Sequence, residues 1–149
     1  MIAYDGPVWR LLTEQLVGSP TTPAAAPEGR FHHSGQIAAY ASLTAEGAEV
    51  AIKRYLTDNR KRLLVPMWLK AEAVADVRGN VAASVVWQDQ RQSGAIPSTW
   101  AISDAARREG AEALLYSSRS RPELSHVVVF DPACLSLVGP ITPMAAFDP

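Results

Sequence analysis

The amino-acid sequence predicts one mixed α+β domain over residues 1–149, and three observations lead to that fold class. The length is typical of one domain, and 48% of the residues are apolar, which is enough to build a core. Short aliphatic runs that favour strands are mixed along the chain with amphipathic stretches that favour helices. No repeat period is visible, so a solenoid or an array is excluded.

The N-terminal half is divided by its turn and capping residues. Residues 8–17 fit a strand or a short helix, because periodicity does not decide between the two. Residues 18–29 contain three prolines and two glycines, which predicts a loop. Residues 37–42 are short and apolar, as in a buried strand. Thr44 is a favourable N-cap for a helix over residues 45–56. One face of this helix carries its apolar side chains, namely Ala48, Ala51, Ile52, Tyr55 and Leu56.

A proline complicates the next prediction. Residues 62–71 are predicted to be a strand, and because Pro66 cannot donate to a ladder, that strand lies at an edge or carries a bulge. Residues 73–77 form a second, shorter strand in this prediction, and residues 81–90 fit a helix weakly.

The last part of the chain predicts one helix and several strands. Ser98 or Thr99 caps a helix that Gly110 ends in the left-handed conformation. Two convincing strands follow, and the tail adds one more; their ranges are 112–118, 126–132 and part of 135–149.

Composition excludes several classes of function. With 14 Lys+Arg against 15 Asp+Glu, the formal net charge is -1, which argues against direct nucleic-acid binding through phosphate contacts. No apolar run is long enough for a membrane span, and the N-terminus lacks the features of a signal peptide. The single cysteine, Cys134, fits a reducing cytoplasm and a structural role. The P-loop, the G-x-G-x-x-G fingerprint, H-E-x-x-H and C-x-x-C are all missing.

The residues alone do not predict an active site. His32 and His33 are adjacent and would point to opposite faces of a strand, so they form a poor metal pair and no metal is expected. Several polar residues remain open between a structural and a functional role: Arg30, Tyr40, Glu46, Glu49 and Ser118.

Two blocks of sequence carry a family resemblance. The first is "GRFHHSGQIAAYASLTAEGA" (29–48), with a Gly-Arg-aromatic opening and a strand that contains a tyrosine. The second is "PSTWAISDAARREGAEALLYSSRSRPELSHVVVFDP" (97–132), with an amphipathic helix, a strand ending in Tyr-x-Ser, and an Arg-Pro. Together they resemble the RES-domain family, the toxin half of RES–Xre toxin–antitoxin pairs. The resemblance implies a fold similar to that of ADP-ribosyltransferase toxins.

The resemblance also implies a set of site residues. Arg30, Tyr40 and Ser118 match the family's arginine, tyrosine and serine. The family's glutamate follows the tyrosine by about 11 residues, and that position here is Ala51. Glu49 or Glu46 serves instead if the turn before the helix is shortened, and Glu49 is the preferred candidate. His126, where many relatives carry a residue such as Asn, and Arg121, as a helper of Arg30, complete the expected NAD-binding set.

The chemistry implied is consumption of NAD, by hydrolysis, by phosphorolysis or by transfer of ADP-ribose to a target protein. Each route passes through an oxocarbenium-like state that a carboxylate stabilises, while an arginine fork suits the diphosphate. An Xre-type antitoxin is the implied partner and masks the active site. Two alternatives remain: a catalytically dead binding module, and a non-toxic NAD or nucleoside hydrolase.

Overall fold

A single seven-stranded sheet organises the computed structural model, which describes residues 1–53 and 59–144. The chain forms one domain in which strands and helices are mixed, as the sequence predicts. The strands are β1 (Ile2–Thr13), β2 (Ala39–Ser42), β3 (Arg62–Asp76), β4 (Ala113–Ser117), β5 (Ser125–Val129), β6 (Leu135–Leu137) and β7 (Thr142–Pro143). The helices are α1 (Ala45–Ile52), α2 (Trp87–Gln92) and α3 (Ser98–Arg108). Short 3-10 turns cover Glu14–Leu16, Val81–Ser84 and Pro132–Cys134.

Five of these strands close on themselves. The order β1-β2-β5-β4-β3 is completed by pairing between β1 and β3, so the sheet returns to its starting strand. The β3–β4 pair is parallel, and the other pairs are antiparallel. The short strands β6 and β7 pair with β3 as well.

The two faces of the strands build two apolar clusters. Alternate residues such as Val65, Leu115 and Val127 are fully or almost fully buried in the first cluster, which fills the space enclosed by the five strands. The residues between them, such as Leu114 and Val128, belong to a second cluster between the sheet and α3. The period-2 alternation therefore sorts side chains between the inside and the outside of the closed sheet.

The strand β3 corrects the sequence prediction. Residues 62–76 form one strand, where two were predicted, and it lies between β1 on one edge and β4, β6 and β7 on the other. Pro66 is tolerated because its edge partners there stop short: β7 pairs with residues 63–64 and β6 with residues 67–69. Because neither β6 nor β7 pairs with Pro66, no ladder hydrogen bond is lost at its nitrogen, and its carbonyl accepts from Val138 N at 3.2 Å.

The helices confirm some expected caps and contradict others. Thr44 caps α1, and its Oγ1 accepts from Gly47 N at 2.9 Å. The predicted extension of this helix through residues 54–56 lies outside the described residues. The prediction that Ser98 or Thr99 caps α3 is wrong, because Pro97 takes the N-cap position with no side-chain bond. Gly110 has a φ of 86°, as expected of a residue that ends a helix.

Two ambiguous segments are also settled. Of residues 8–17, the part through Thr13 belongs to β1, which spans residues 2–13 and pairs with β3 along its whole length, and Glu14–Leu16 form a 3-10 turn. The predicted helix over residues 81–90 is a 3-10 turn followed by α2. None of the helices in the described ranges has the length and apolarity needed to cross a membrane.

Candidate functional site

Strand alternation places a row of polar side chains on the outer face of β2, β5 and β4. Ser42 and Tyr116 both lie opposite His126 in the register, and Tyr40 is two residues before Ser42 on the same strand. All four side chains line one cavity of about 670 Å³, a volume within the ordinary range for small-molecule sites.

Leu11 of β1 also lines the cavity, and the remaining walls come from four distant segments. They are the loop over residues 24–32, the end of α1 through Lys53, the stretch 85–88, and residues 118–120. Of the residues expected to form the site, Arg30, Tyr40, Ser118 and His126 line this cavity. Both sequence blocks therefore contribute to one site.

Arg30 is fixed by a carbonyl and two rings. Its Nε donates to the Ala83 carbonyl at 3.1 Å, and its Nη2 donates to the same oxygen. The guanidinium lies 4.7 Å from the centroid of the Tyr116 ring and 5.5 Å from that of Phe31. These contacts hold the guanidinium in the cavity wall.

Tyr40 is oriented by a histidine whose tautomer can be assigned. His32 Nε2 lies 2.8 Å from the Ala26 carbonyl, which accepts only, so the ring hydrogen is on Nε2. His32 Nδ1 is then an acceptor, and the Tyr40 hydroxyl donates to it at 2.7 Å. The same hydroxyl oxygen accepts from Phe31 N at 3.0 Å. Burial raises the pKa of Tyr40, so the phenol stays neutral.

His126 forms a buried pair with Ser42. Ser42 Oγ lies 2.6 Å from His126 Nδ1, and the two residues are only 1% and 4% exposed. Among the described residues, Ser42 Oγ has no second polar partner, so its hydroxyl donates to Nδ1 and the ring hydrogen lies on Nε2. Burial, helped by the charge of Arg30, lowers the pKa of His126 to about 4. The cavity wall therefore offers a neutral N–H donor at neutral pH.

Ser118 combines cavity lining with a turn contact. It follows β4 directly and is 3% exposed. Its Oγ accepts from Arg121 N at 3.2 Å, and its N donates to the Leu124 carbonyl at 2.9 Å. These two bonds hold the segment that carries Arg119 and Ser120 against the cavity.

Three of the expected site residues, Arg121, Glu46 and Glu49, are not among the residues that line the cavity. The Arg121 guanidinium is paired with Glu46 at 3.1 Å and with Glu123, and Glu46 is largely exposed. The helix α1 reaches the cavity with Ala48 and its last turn, residues 50–53, so Glu49 is left out of the lining. Ala51, the position where the resemblance calls for a carboxylate, is in the lining.

The charged residues of the lining differ from those expected. Arg119 lines the cavity in place of Arg121, and Lys53 adds a third positive group to Arg30 and Arg119. Among the described residues of the lining, Glu28 is the only carboxylate. Its oxygens pair with Arg91 Nε at 3.3 Å and with Arg91 Nη2 at 3.1 Å.

Two arginines that the sequence did not single out hold backbone carbonyls around the cavity. Arg10 is 5% exposed and donates to the carbonyls of Tyr40, Pro20 and Thr22 at 2.7 to 2.9 Å. Arg107 donates to the Ile37 and Phe31 carbonyls, both at 3.0 Å. No local motif marks such residues, because their partners are carbonyls of distant segments.

One group outside the cavity has the spacing of metal ligands. Glu112, Asp131 and Cys134 bring ligand atoms within 4.8 Å of one another. The Glu112 carboxylate already accepts from the backbone of residues 72 and 73 and from the Cys134 thiol. Burial, together with Glu112, raises the pKa of Cys134 to about 12, so the thiol is protonated and donates to the Glu112 carboxylate.

Comparisons with known proteins agree with this picture of the fold. A family model described as "RES domain" matches residues 7–146, nearly the whole chain. A chain of the crystal structure of the M. tuberculosis MbcT–MbcA toxin–antitoxin complex superposes with a TM-score of 0.61 and 13% sequence identity. The match covers 97% of this chain and 86% of that one. No curated protein matches the sequence.

Proposed function

The chain belongs to the RES-domain family, and from this premise we propose that it is the toxin of a toxin–antitoxin pair and cleaves the nicotinamide–ribose bond of NAD. The observation that carries the proposal is the cavity of about 670 Å³ in which Arg30, Tyr40, Ser118 and His126 meet. The overall likeness to a chain of a toxin–antitoxin complex supports it. The same proposal includes a fold similar to that of ADP-ribosyltransferase toxins.

The lining suits a dinucleotide. The aromatic rings of Tyr40, Tyr116 and Trp87 offer flat apolar surfaces for the nicotinamide and adenine bases. Arg30 and Arg119 supply positive charge for the diphosphate, and Ser118 and His126 supply hydrogen bonds to ribose or carboxamide oxygens. NAD is the substrate in this proposal, and the reaction involves no metal.

The protonation state of the site suits the bond that breaks. When the C1′–N bond of NAD ionises, the electron pair stays with nicotinamide and positive charge develops on the ribose. A protonated imidazole beside that ribose would oppose this charge. The pKa of His126, lowered to about 4 by burial and by Arg30, keeps the ring neutral at neutral pH. The acceptor is then water, phosphate or a side chain of a target protein.

The partner proposed is an Xre-type antitoxin. A toxin that consumes NAD is tolerated by its host only when it is masked, and the cavity mouth, with the positive charges of Arg30 and Arg119, is the place to mask it. The cytoplasm, where NAD is abundant and where one unpaired cysteine stays reduced, is the proposed location.

One observation favours a second candidate function. Ala51 lines the cavity at the position expected of a carboxylate, and Glu46 and Glu49 do not line it. A protein that binds NAD in this cavity without cleaving it, and that acts through its partner surface, is the function this observation favours.

Mass spectrometry of the products tests the proposal. Purified protein is incubated with NAD alone, with phosphate and with cell lysate, and Arg30→Ala serves as the binding-deficient control. Release of nicotinamide supports cleavage, and the partner molecule found on ADP-ribose identifies the acceptor. Saturable NAD binding without nicotinamide in any of the three mixtures contradicts cleavage and supports the second candidate.

A further inference from the structure

The cavity keeps a carboxylate, although it is not on α1. Position 51 is alanine and faces the cavity, while Glu46 and Glu49 lie outside the lining. In the loop that leads into Arg30, Glu28 is the only carboxylate among the described lining residues. A developing cation on the ribose is stabilised by a fixed negative charge, so a cavity that cleaves NAD needs such a group.

We propose that Glu28 is a catalytic residue, and that its carboxylate stabilises the positive charge that forms on the nicotinamide ribose. The proposal rests on the NAD-cleaving function above and deepens it. It assigns to the loop before Arg30 the role that the family resemblance assigns to the helix after Tyr40.

The carboxylate is fixed in direction by a chain of contacts. Arg91 holds one oxygen through Nε at 3.3 Å and the other through Nη2 at 3.1 Å. The Arg91 guanidinium in turn lies 5.3 Å from the centroid of the Trp100 ring. Trp100 Nε1 donates to the carbonyl of Gly29 at 2.8 Å, so the ring also ties down the residue next to Glu28. Such support keeps a charged group oriented before the substrate arrives.

The ion pair with Arg91 leaves Glu28 able to accept further hydrogen bonds. Each carboxylate oxygen has two acceptor positions, and Arg91 occupies one on each. The Glu28 side chain is 35% exposed, so its remaining acceptor positions are accessible. The charge of Arg91 reduces the field of the carboxylate, but Arg91 is 48% exposed and solvent screens it.

The proposed step balances without another reagent. The C1′–N bond of NAD breaks, and its electron pair neutralises the pyridinium, so nicotinamide leaves uncharged. The carboxylate of Glu28 remains ionised and stabilises the ribosyl cation by charge and by accepting a hydrogen bond from a ribose hydroxyl. Where water is the acceptor, it forms the new bond to C1′ and loses its proton to solvent.

Three variants test the proposal against a purely structural role. Glu28→Gln removes the charge and keeps the shape. Arg91→Gln breaks the same ion pair and leaves the carboxylate in place. Glu109→Gln makes the same chemical change at an exposed position at the end of α3, outside the cavity lining, and is the matched control. Nicotinamide release gives kcat and KM, calorimetry gives NAD affinity, and thermal unfolding gives stability.

Glu28→Gln is expected to lower kcat by about 10² while KM and NAD affinity change by less than about threefold. Arg91→Gln keeps the charge of Glu28 but loosens the carboxylate that Arg91 orients, so it is expected to lower kcat by about fivefold to tenfold, less than Glu28→Gln does, and Glu109→Gln is expected to match the wild type. A Glu28→Gln protein with nearly wild-type kcat overturns the proposal, as do equal losses of kcat in Glu28→Gln and Arg91→Gln that are accompanied by equal losses of thermal stability, since these indicate a purely structural ion pair. A wild-type protein that binds NAD but releases no nicotinamide overturns the proposed function as well, which separates the two failures.

Discussion

At the scale of single residues, Arg30 carries the largest share of the NAD-binding proposal. It lies in the cavity, against the Tyr116 ring, and two of its nitrogens donate to Ala83 O. A guanidinium fixed in this way is preorganised for an anionic ligand, because its side-chain entropy is already lost before binding.

Arg30→Ala is expected to weaken NAD binding by about 2 to 5 kcal/mol, the usual cost of losing a buried charged contact. Arg30→Lys should also bind poorly, because an ammonium group cannot reproduce the planar fork. Isothermal titration with NAD measures both variants, and circular dichroism verifies that each is folded. Wild-type affinity in a folded Arg30→Ala protein would remove this residue from the site.

The buried His126 predicts a pH dependence of stability. Its pKa is lowered from 6.5 in the unfolded chain to about 4 in the folded protein. As the pH falls below about 6.5, the unfolded chain takes up a proton that the folded protein refuses, so the free energy of unfolding decreases until the pH reaches about 4.

Between about pH 7.5 and about pH 5, this effect amounts to roughly 2 kcal/mol. Urea unfolding at the two pH values measures it, with His126→Asn as the comparison. The asparagine variant cannot titrate, so its loss of stability on acidification should be smaller by that amount. Equal losses in the two proteins would show that His126 does not titrate as inferred.

At the scale of elements, α1 shows how a helix end decides which side chains reach a site. The helix is fixed by the Thr44 cap and approaches the cavity with its C-terminal turn, which contains Ala51. Glu46 in the first turn is directed instead to Arg121, in an exposed pair.

We therefore expect Glu49→Gln and Glu46→Gln to retain NAD turnover within about threefold, since neither carboxylate lines the cavity. This expectation replaces the sequence-based one, in which Glu49→Gln is the inactive variant. Measuring nicotinamide release for both purified variants checks it. A fall of about 10² in either variant would return the catalytic carboxylate to α1.

The turn that begins at Gly29 has no room for a side chain at that position. A Cβ at this position would lie 2.3 Å from His32 Cε1 and 2.9 Å from the Tyr40 hydroxyl, so the pair that orients Tyr40 would have to move. Gly29→Ala is expected to lower the free energy of unfolding by about 1 to 3 kcal/mol and to reduce NAD affinity.

Gly18→Ala is the matched control for this variant, because no atom lies within 4 Å of a Cβ at that position. Thermal unfolding and NAD titration of the two variants are compared directly. Similar stability and NAD affinity in the two variants would mean that the turn accommodates a Cβ without displacing Tyr40.

At the scale of the whole molecule, the closed sheet presents one cavity that a partner can cover. Arg30 and Arg119 line that cavity, whereas the charge of Arg121 is already paired with Glu46 and Glu123. An acidic side chain or a chain terminus of the antitoxin is expected to occupy the cavity beside the first two arginines.

A co-purified complex with the antitoxin should therefore show no NAD turnover. Arg119→Ala should weaken the complex more than Arg121→Ala, by about tenfold, because only the first removes a charge from the cavity. Biolayer interferometry compares the two affinities, and nicotinamide release measures turnover. A complex that cleaves NAD well above its dissociation constant would contradict masking of the cavity.

The sequence by itself determined the features that depend on neighbouring residues. Short apolar runs predicted the strands β2, β4 and β5, and Thr44 and Gly110 marked a helix start and a helix end correctly. The resemblance also grouped Arg30, Tyr40 and Ser118, which do line one cavity. Such features can be predicted from the sequence because short apolar runs, helix capping and left-handed glycines depend on neighbouring residues.

Only the tertiary structure decided the features that depend on distant pairing. The uninterrupted strand β3 exists because β6 and β7 leave a gap opposite Pro66. Arg10 and the Ser42–His126 pair acquire their roles from partners 10 to 84 residues away along the chain. The change of candidate carboxylate from Glu49 to Glu28 has the same cause, because the approach of α1 to the sheet fixes which residues face the cavity. Contacts of this kind follow from how the strands close, and local propensity does not encode that.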